Sequence, residues 1–258
     1  IALLSLTACG GSPRGVEGLT ASGASSSGGT AGGAAMNASD ASSTAGRTSD
    51  EQITLPLVVD FDFFPSGAFG RLIAVGPDGR TDSFAEQCTG DDTGEWDNVA
   101  IDQTDAACPS RPAAVLGDAE LSLSRCTSFV FTPAGLDPGD RTTWAGVVWQ
   151  NAPCNWGNDP GSPVDPGASK VTFWAWGDAA SVGSTIAFQA GDIGSSATPY
   201  RDSFSAFSSV VLTATPKKYE IDLGGADYSA GVISAFGWTA ERTNLSTLTF
   251  YVDGMRWE

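Results

Sequence analysis

The run Lys170-Val171-Thr172-Phe173-Trp174-Ala175-Trp176 decides the fold class. Its side chains sort with a period of two, which is the geometry of a strand: Val171, Phe173 and Ala175 share one face, and Thr172, Trp174 and Trp176 share the other. In Ile186-Ala187-Phe188-Gln189 the same rule aligns Ile186 and Phe188 with the core-like set and Gln189 with the opposite set. Further on, Tyr219, Ile221 and Leu223 oppose Glu220 and Asp222, and Leu248, Phe250 and Val252 oppose Thr249, Tyr251 and Asp253. Each of these strands has one core-like face. The second face of 170–176 carries two large aromatics, an unusual load for a solvated sheet surface.

Working outward, candidate strands cover Leu55–Phe63, Thr127–Phe131, Trp144–Gln150, Lys170–Trp176, Thr185–Gln189, Ser208–Leu212, Lys218–Leu223, Gly231–Trp238 and Thr247–Trp257. Turn clusters separate them: Gly-Pro-Asp-Gly at 76–79, Asp-Pro-Gly-Asp at 137–140, Asp-Pro-Gly at 159–161 and 165–167, and Gly-Gly at 224–225. Short strands between such turns predict an all-β fold, an antiparallel β-sandwich or barrel. Residues 64–126 read as a long insertion. Residues 53–258 are expected to form one domain, since all-β domains of about 200 residues commonly stay single.

Four segments carry a resemblance. Gly167–Ala175, Ile186–Gly191, Lys217–Leu223 and Phe250–Glu258 resemble the central and closing strands of carbohydrate-binding-module-like jelly rolls, similar to galactose-binding-like domains. Such domains often close on an aromatic-Tyr-x-Asp-Asp-x-Arg-aromatic strand. Here Phe250-Tyr251-Val252-Asp253-Gly254-Met255-Arg256-Trp257 departs from it, with Gly254 in place of the second Asp. The resemblance implies an antiparallel β-sandwich, a β-jelly roll, over roughly residues 55–258. It also implies that the first and last strands lie together, with a structural Ca²⁺ where they meet. The segments Trp144–Gln150 and Asn155–Gly157 resemble those of uncharacterised lipoproteins of bacteria such as myxobacteria.

Composition removes several function classes. The chain has 13 Lys and Arg, 30 Asp and Glu, a formal charge of −17 and no His. Without His there is no Ser-His-Asp triad, Cys-His dyad or His-ligated zinc. The charge disfavours nucleic acid, whose binding depends on Lys and Arg neutralising phosphate. It equally disfavours electrostatic attachment to anionic lipid.

Residues 1–8, Ile1–Ala8, read as the remnant of a signal peptide that is removed ahead of Cys9. Leu6-Thr7-Ala8-Cys9 resembles a bacterial lipobox, which implies lipidation of Cys9 and anchoring by acyl chains. Gly10 after the Cys, in place of Asp, favours the outer membrane, facing the periplasm or the cell surface. Of residues 10–50, 31 are Gly, Ala, Ser or Thr, so 9–52 is expected to be a lipidated N-terminus and flexible linker.

Sugar rings present an apolar C–H face and a rim of hydroxyls, so Trp beside amides or carboxylates in a shallow concavity is the pattern to seek. Trp174, Trp176 and Gln189 supply it on one predicted face. Trp144 and Gln150 share a parity on a nearby strand, and Trp156, between two Asn, sits in a loop placed to close one end. The plain alternative is that these Trp fill the core or lie beneath the insertion. Trp149, Trp238 and Trp257 read as structural.

Asp60 and Asp62 fall on one face of the first predicted strand, and Asp253 lies in the last. With the resemblance, the three become the candidate Ca²⁺ ligands, Ca²⁺ taking six to eight oxygens. Gly90–Glu95 is a second acidic loop without EF-hand spacing. With Cys9 given to lipid, Cys88, Cys108, Cys126 and Cys154 form an even set in an exported chain, which suggests two disulfides. Of three possible pairings, the nested one, Cys108–Cys126 inside Cys88–Cys154, is the expected arrangement. The sequence therefore predicts a non-catalytic carbohydrate-binding surface lipoprotein of a bacterial envelope, with a polysaccharide or glycan as partner. A structural or protein-interaction lipoprotein, and a polysaccharide-acting hydrolase or lyase, are the alternatives.

Overall fold

The computed structural model describes residues 52–72, 83–87, 95–96, 99–103, 108, 126–133, 143–152, 154–244 and 246–258. They belong to one compact unit, Thr48–Glu258. The leader, Cys9, the linker up to residue 51, Cys88 and most of the Gly90–Glu95 loop lie outside the described residues.

The elements run in order β1 (Leu57–Val58), α1 (Val59–Asp62), β2 (Phe64–Leu72), β3 (Ser83–Gln87), β4 (Glu95–Trp96), β5 (Val99–Asp102), β6 (Thr127–Phe131), β7 (Thr143–Gln150), β8 (Lys170–Gly177), β9 (Thr185–Gly191), β10 (Ser205–Val211), β11 (Lys217–Asp222), β12 (Ser234–Arg242) and β13 (Leu248–Trp257). A six-stranded sheet has the order β10-β9-β12-β7-β2-β3, and a seven-stranded sheet the order β11-β8-β13-β6-β5-β4, with β1 on β13. From β6 onward the chain alternates between the sheets, except at the β9–β10 hairpin. That crossing pattern is a jelly roll, and every strand pair in it is antiparallel.

The two inner faces meet as the alternation requires. Val171, Phe173 and Ala175 of β8, Ile186 and Phe188 of β9, and Phe250 and Val252 of β13 are all fully buried in one core. Phe173 and Phe188 bring ring centroids to 4.5 Å across the sheets, and Trp238 meets Phe250 edge-on at 4.9 Å. Trp149, Trp238 and Trp257 lie in the same core, and Trp257 Nε1 donates to the Ala235 carbonyl at 2.8 Å.

Two expectations need correction. The predicted strand Leu55–Phe63 is instead β1 followed by a helical turn, closed by Phe63 N–H donating to Val59 C=O at 2.9 Å. The turn buries both Val59 and Phe63, spaced four apart on one side of a helix. It also removes the common strand face on which Asp60 and Asp62 were expected. Second, residues 64–126 are not simply an insertion. β2 and β3 extend the six-stranded sheet beyond β7, and β4 and β5 extend the other sheet beyond β6.

β1 does pair with β13, as Leu57 with Trp257 and Val58 with Arg256. β13 itself carries an irregularity between Asp253 and Arg256, where Gly254 takes φ +60°. A left-handed residue in a bulge favours glycine. The bulge explains the departure from the resembling motif. It puts Asp253 opposite Trp174 and Arg256 opposite Thr172, so both lie on the outer face although three positions apart.

Candidate functional site

The outer face of the six-stranded sheet is built by parity. Ala145, Val147 and Trp149 of β7 point into the core and are fully buried. Trp144, Gly146, Val148 and Gln150 therefore line the other side. Register aligns Val148, Gly237, Gln189 and Phe207 as one row across β7, β12, β9 and β10. The next row is Gly146, Thr239, Ala187 and Ser209, and Trp144 stands opposite Glu241. Side chains are small along the middle of this face. A Cβ on Gly237 would meet Val148 Cγ1 at 3.0 Å and Gln189 Cγ at 3.3 Å, so the neighbouring stems already close over that glycine. Exposure rises toward β10, where Phe207 is 63 % and Val211 56 % exposed.

One end of this face is closed by two loops. Trp144 and Trp156 pack from outside against a small cluster of Val148, Ile193 and Ile233. Asn155 organises the loop that carries Trp156. Its Nδ2 donates to Asn151 Oδ1 and to the Asp159 carbonyl, and its Oδ1 accepts from the amides of Gly157 and Asp159. Gln150 Nε2 donates to the Asn155 carbonyl at 3.1 Å, and Gln150 is fully buried. Gln150 thus braces the loop from below and does not open to a ligand.

The second loop, 192–204, is stapled to β12 by Asp202. This carboxylate accepts from the amides of Ile193 at 3.1 Å, Ile233 at 2.7 Å and Ser234 at 3.2 Å. Burial pushes its pKa up to about 7, against the pull of those three amides and helped by the nearby charge of Asp192. Burial also raises Asp192, and the Ser205 side chain opposes that shift. The two loops join where Tyr200 N–H donates to the Gly157 carbonyl at 3.1 Å. Gly157 holds φ +99°, and a Cβ there would lie 2.6 Å from Tyr200 O.

The expected platform of Trp174, Trp176 and Gln189 does not form. Trp174 and Trp176 are on β8 in the seven-stranded sheet, whereas Gln189 is on β9 in the other, so they stand on opposite outer faces of the sandwich. Trp176 does point away from the main core, but it is 2 % exposed. It packs with Tyr251, at 5.3 Å between ring centroids, and with the Cys108–Cys126 disulfide, and Trp174 lies partly buried against the same cluster. An exposed sheet face bearing three large aromatics is unfavourable in water, and the Cys108–Cys126 disulfide packs onto this one. Burial, with a smaller contribution from Asp178, raises the Tyr251 phenol.

The Cys108–Cys126 pairing is present. Cys154 is disulfide-bonded too, and its expected partner, Cys88, lies outside the described residues. Asp62, on the helical turn, is half-buried and Asp253 is fully buried, while the side chain of Asp60 lies outside the described residues. Among the described residues no group of three or more His, Cys, Asp or Glu is placed to hold a metal ion. None of their helices is long and apolar enough to cross a membrane.

Phe207 and Val211, the most exposed apolar side chains of the face, are missing from the sequence-derived site. Their signal is the alternation Ser205, Phe207, Ser209, Val211, visible once the strand is started at Ser205 and not at Ser208.

No protein-family model matches the chain, and no curated protein matches it. Among solved structures, it is similar to a carbohydrate-binding module described as having promiscuous specificity, from the β-sandwich superfamily. That match has 14 % identity and a TM-score of 0.37, covering 75 % of this chain and 74 % of the other. A family 11 carbohydrate-binding module of a cellulosomal cellulase of Clostridium thermocellum matches at 16 % identity and TM-score 0.31, covering 52 % of this chain and 74 % of that one. TmCBM61, solved with β-1,4-galactotriose, matches at 13 % identity and TM-score 0.30, covering 64 % and 85 %. Identities and TM-scores this low carry no weight for what this chain binds.

Proposed function

We propose that the outer face of the six-stranded sheet binds carbohydrate without catalysis, in a lipoprotein held at a bacterial outer membrane through Cys9. The observation that supports this most is the composition of that face. Half-buried Trp144 and exposed Phe207 offer apolar surfaces for sugar C–H groups, and Gln189, Thr239 and Glu241 offer hydroxyl partners between them, beside the small residues Gly146, Ala187 and Ser209. Glycoside hydrolysis needs an acid and a second carboxylate at a set separation, and this reading assigns no such pair. Affinity electrophoresis of the full chain against neutral polysaccharides tests it. Phe207→Ala and Gln189→Ala should each release the polysaccharide while the melting temperature holds, and unchanged mobility shifts in both variants would refute the site.

A second reading, a protein-interaction lipoprotein, is favoured by one feature. From Phe204 to Pro216 the chain has no charged residue, and β10 within it forms a sheet edge with Phe207 and Val211 exposed. Uncharged edges of this kind invite pairing with another chain. Structural calcium near Asp60, Asp62 and Asp253 belongs to the proposal as well, supported by the pairing of β1 with β13.

A further inference from the structure

Lys170, Lys217 and Lys218 are the only lysines of a chain whose formal charge is −17, and they lie on the adjacent strands β8 and β11. Lys170, Thr172, Lys218 and Glu220, with Tyr219 and with Ser208 of β10, line a cleft of about 520 Å³ at the side of the sandwich. The register explains the gathering, since Glu220 stands opposite Thr172 and Lys218 opposite Trp174. Lys170 reaches Glu220 at 4.0 Å and Glu258 at 3.8 Å, and Lys218 reaches Glu258 at 3.7 Å. These pairs are long, and each side chain keeps about a third or more of its surface in water. Such contacts contribute little and exchange readily with a ligand. Lys217 is turned aside, its Nζ 5.0 Å from the Tyr219 ring centroid.

Thr172 supplies a second, independent observation. It is 2 % exposed, it borders the cleft, and among the described residues its hydroxyl has no hydrogen-bond partner. A buried hydroxyl without a partner is costly and calls for an explanation. Here it adds an O–H donor beside two ammonium donors, three donors that one anionic group would satisfy together. Glu220 and Ser208 offer acceptors to the rest of a ligand. The complementary ligand has one anionic group for the donors and hydroxyls for the acceptors. We propose that this cleft binds a sugar acid, a hexuronate unit held by its carboxylate between Lys170, Lys218 and the Thr172 hydroxyl. The site lies apart from the sheet face argued above, and either can fail without the other.

Titration calorimetry of the full chain with sodium glucuronate, and with glucose as the neutral control, is the test. Glucuronate should bind and glucose should not. Binding should weaken as sodium chloride rises from about 0.01 M to about 1 M, over which the screening length falls roughly tenfold. Lys170→Gln and Lys218→Gln should each lower the affinity about tenfold, the loss of one hydrogen bond to a charged group. Thr172→Val should weaken binding while the melting temperature stays or rises, because the valine removes an unsatisfied hydroxyl at equal shape. Equal binding of glucose, absence of glucuronate binding, or an affinity unmoved by all three substitutions would overturn the proposal. A Thr172→Val protein that melts lower would overturn its premise, by showing that the hydroxyl already had a partner.

Discussion

Trp176→Ala separates a covered aromatic from an exposed one. The indole is 2 % exposed and packs with the Tyr251 ring and the Cys108–Cys126 disulfide, so truncation leaves a cavity that these neighbours close only in part. Removing a buried Trp costs about 3–5 kcal/mol. In a domain of about 200 residues each kcal/mol moves the melting temperature by about 2–4 °C, which predicts a fall of roughly 6–20 °C. Polysaccharide binding should persist at temperatures where the variant is folded, because Trp176 and the proposed platform belong to different sheets. Differential scanning calorimetry and affinity electrophoresis on the same preparation read both quantities. An unchanged melting temperature with lost binding would return Trp176 to a sugar-stacking role and refute the covered-face account.

Three further outcomes follow from the geometry. Asp202, raised to about 7 from 3.8, holds its proton more tightly folded than unfolded, so its contribution to stability is full below about pH 4 and is lost as pH climbs to about 7, a change of order 4 kcal/mol. Urea unfolding at pH 4 and pH 8 should show that slope in the wild type and a flatter one in Asp202→Asn, which should itself lose about 1–3 kcal/mol as a backbone donor is left unpaired; equal slopes would remove the assignment. Gly254→Val forces a β-branched residue into φ +60° and should destabilise the domain by about 1–3 kcal/mol in chemical denaturation, with Gly225→Ala, at φ +82° with an open Cβ position in a surface turn, costing less. If Ca²⁺ occupies the proposed position between Asp62 and Asp253, adding EDTA should lower the melting temperature and adding Ca²⁺ should restore it, and a transition indifferent to both would dismiss the ion.

Period-two alternation is a local property, and it read well wherever the answer was local. It set the inward residues of β8, β9, β11 and β13 correctly, and with them an all-β sandwich. It was blind to which strands are neighbours. Trp174 and Gln189 sit on consecutive strands, yet the connection over 178–184 carries the chain from one sheet to the other, so a shared parity is not a shared face. It was equally blind to cover. Trp176 has the parity of a surface residue, yet it packs against the disulfide between Cys108 and Cys126, far away in sequence. β2 escaped because Pro65, Gly67 and Gly70 interrupt its pattern, although register with β7 resumes past an irregularity between Pro65 and Gly67. Gly254 shows the opposite case, since a departure from a motif marked a bulge that parity cannot count through. The same blindness hid the lysine cleft, whose residues 170, 172, 218, 219 and 220 meet because β8 pairs with β11, with Ser208 added where β10 borders β11 across the open side of the sandwich. Residue type predicts a site where one strand supplies it; where several strands do, the sheet order has to come first.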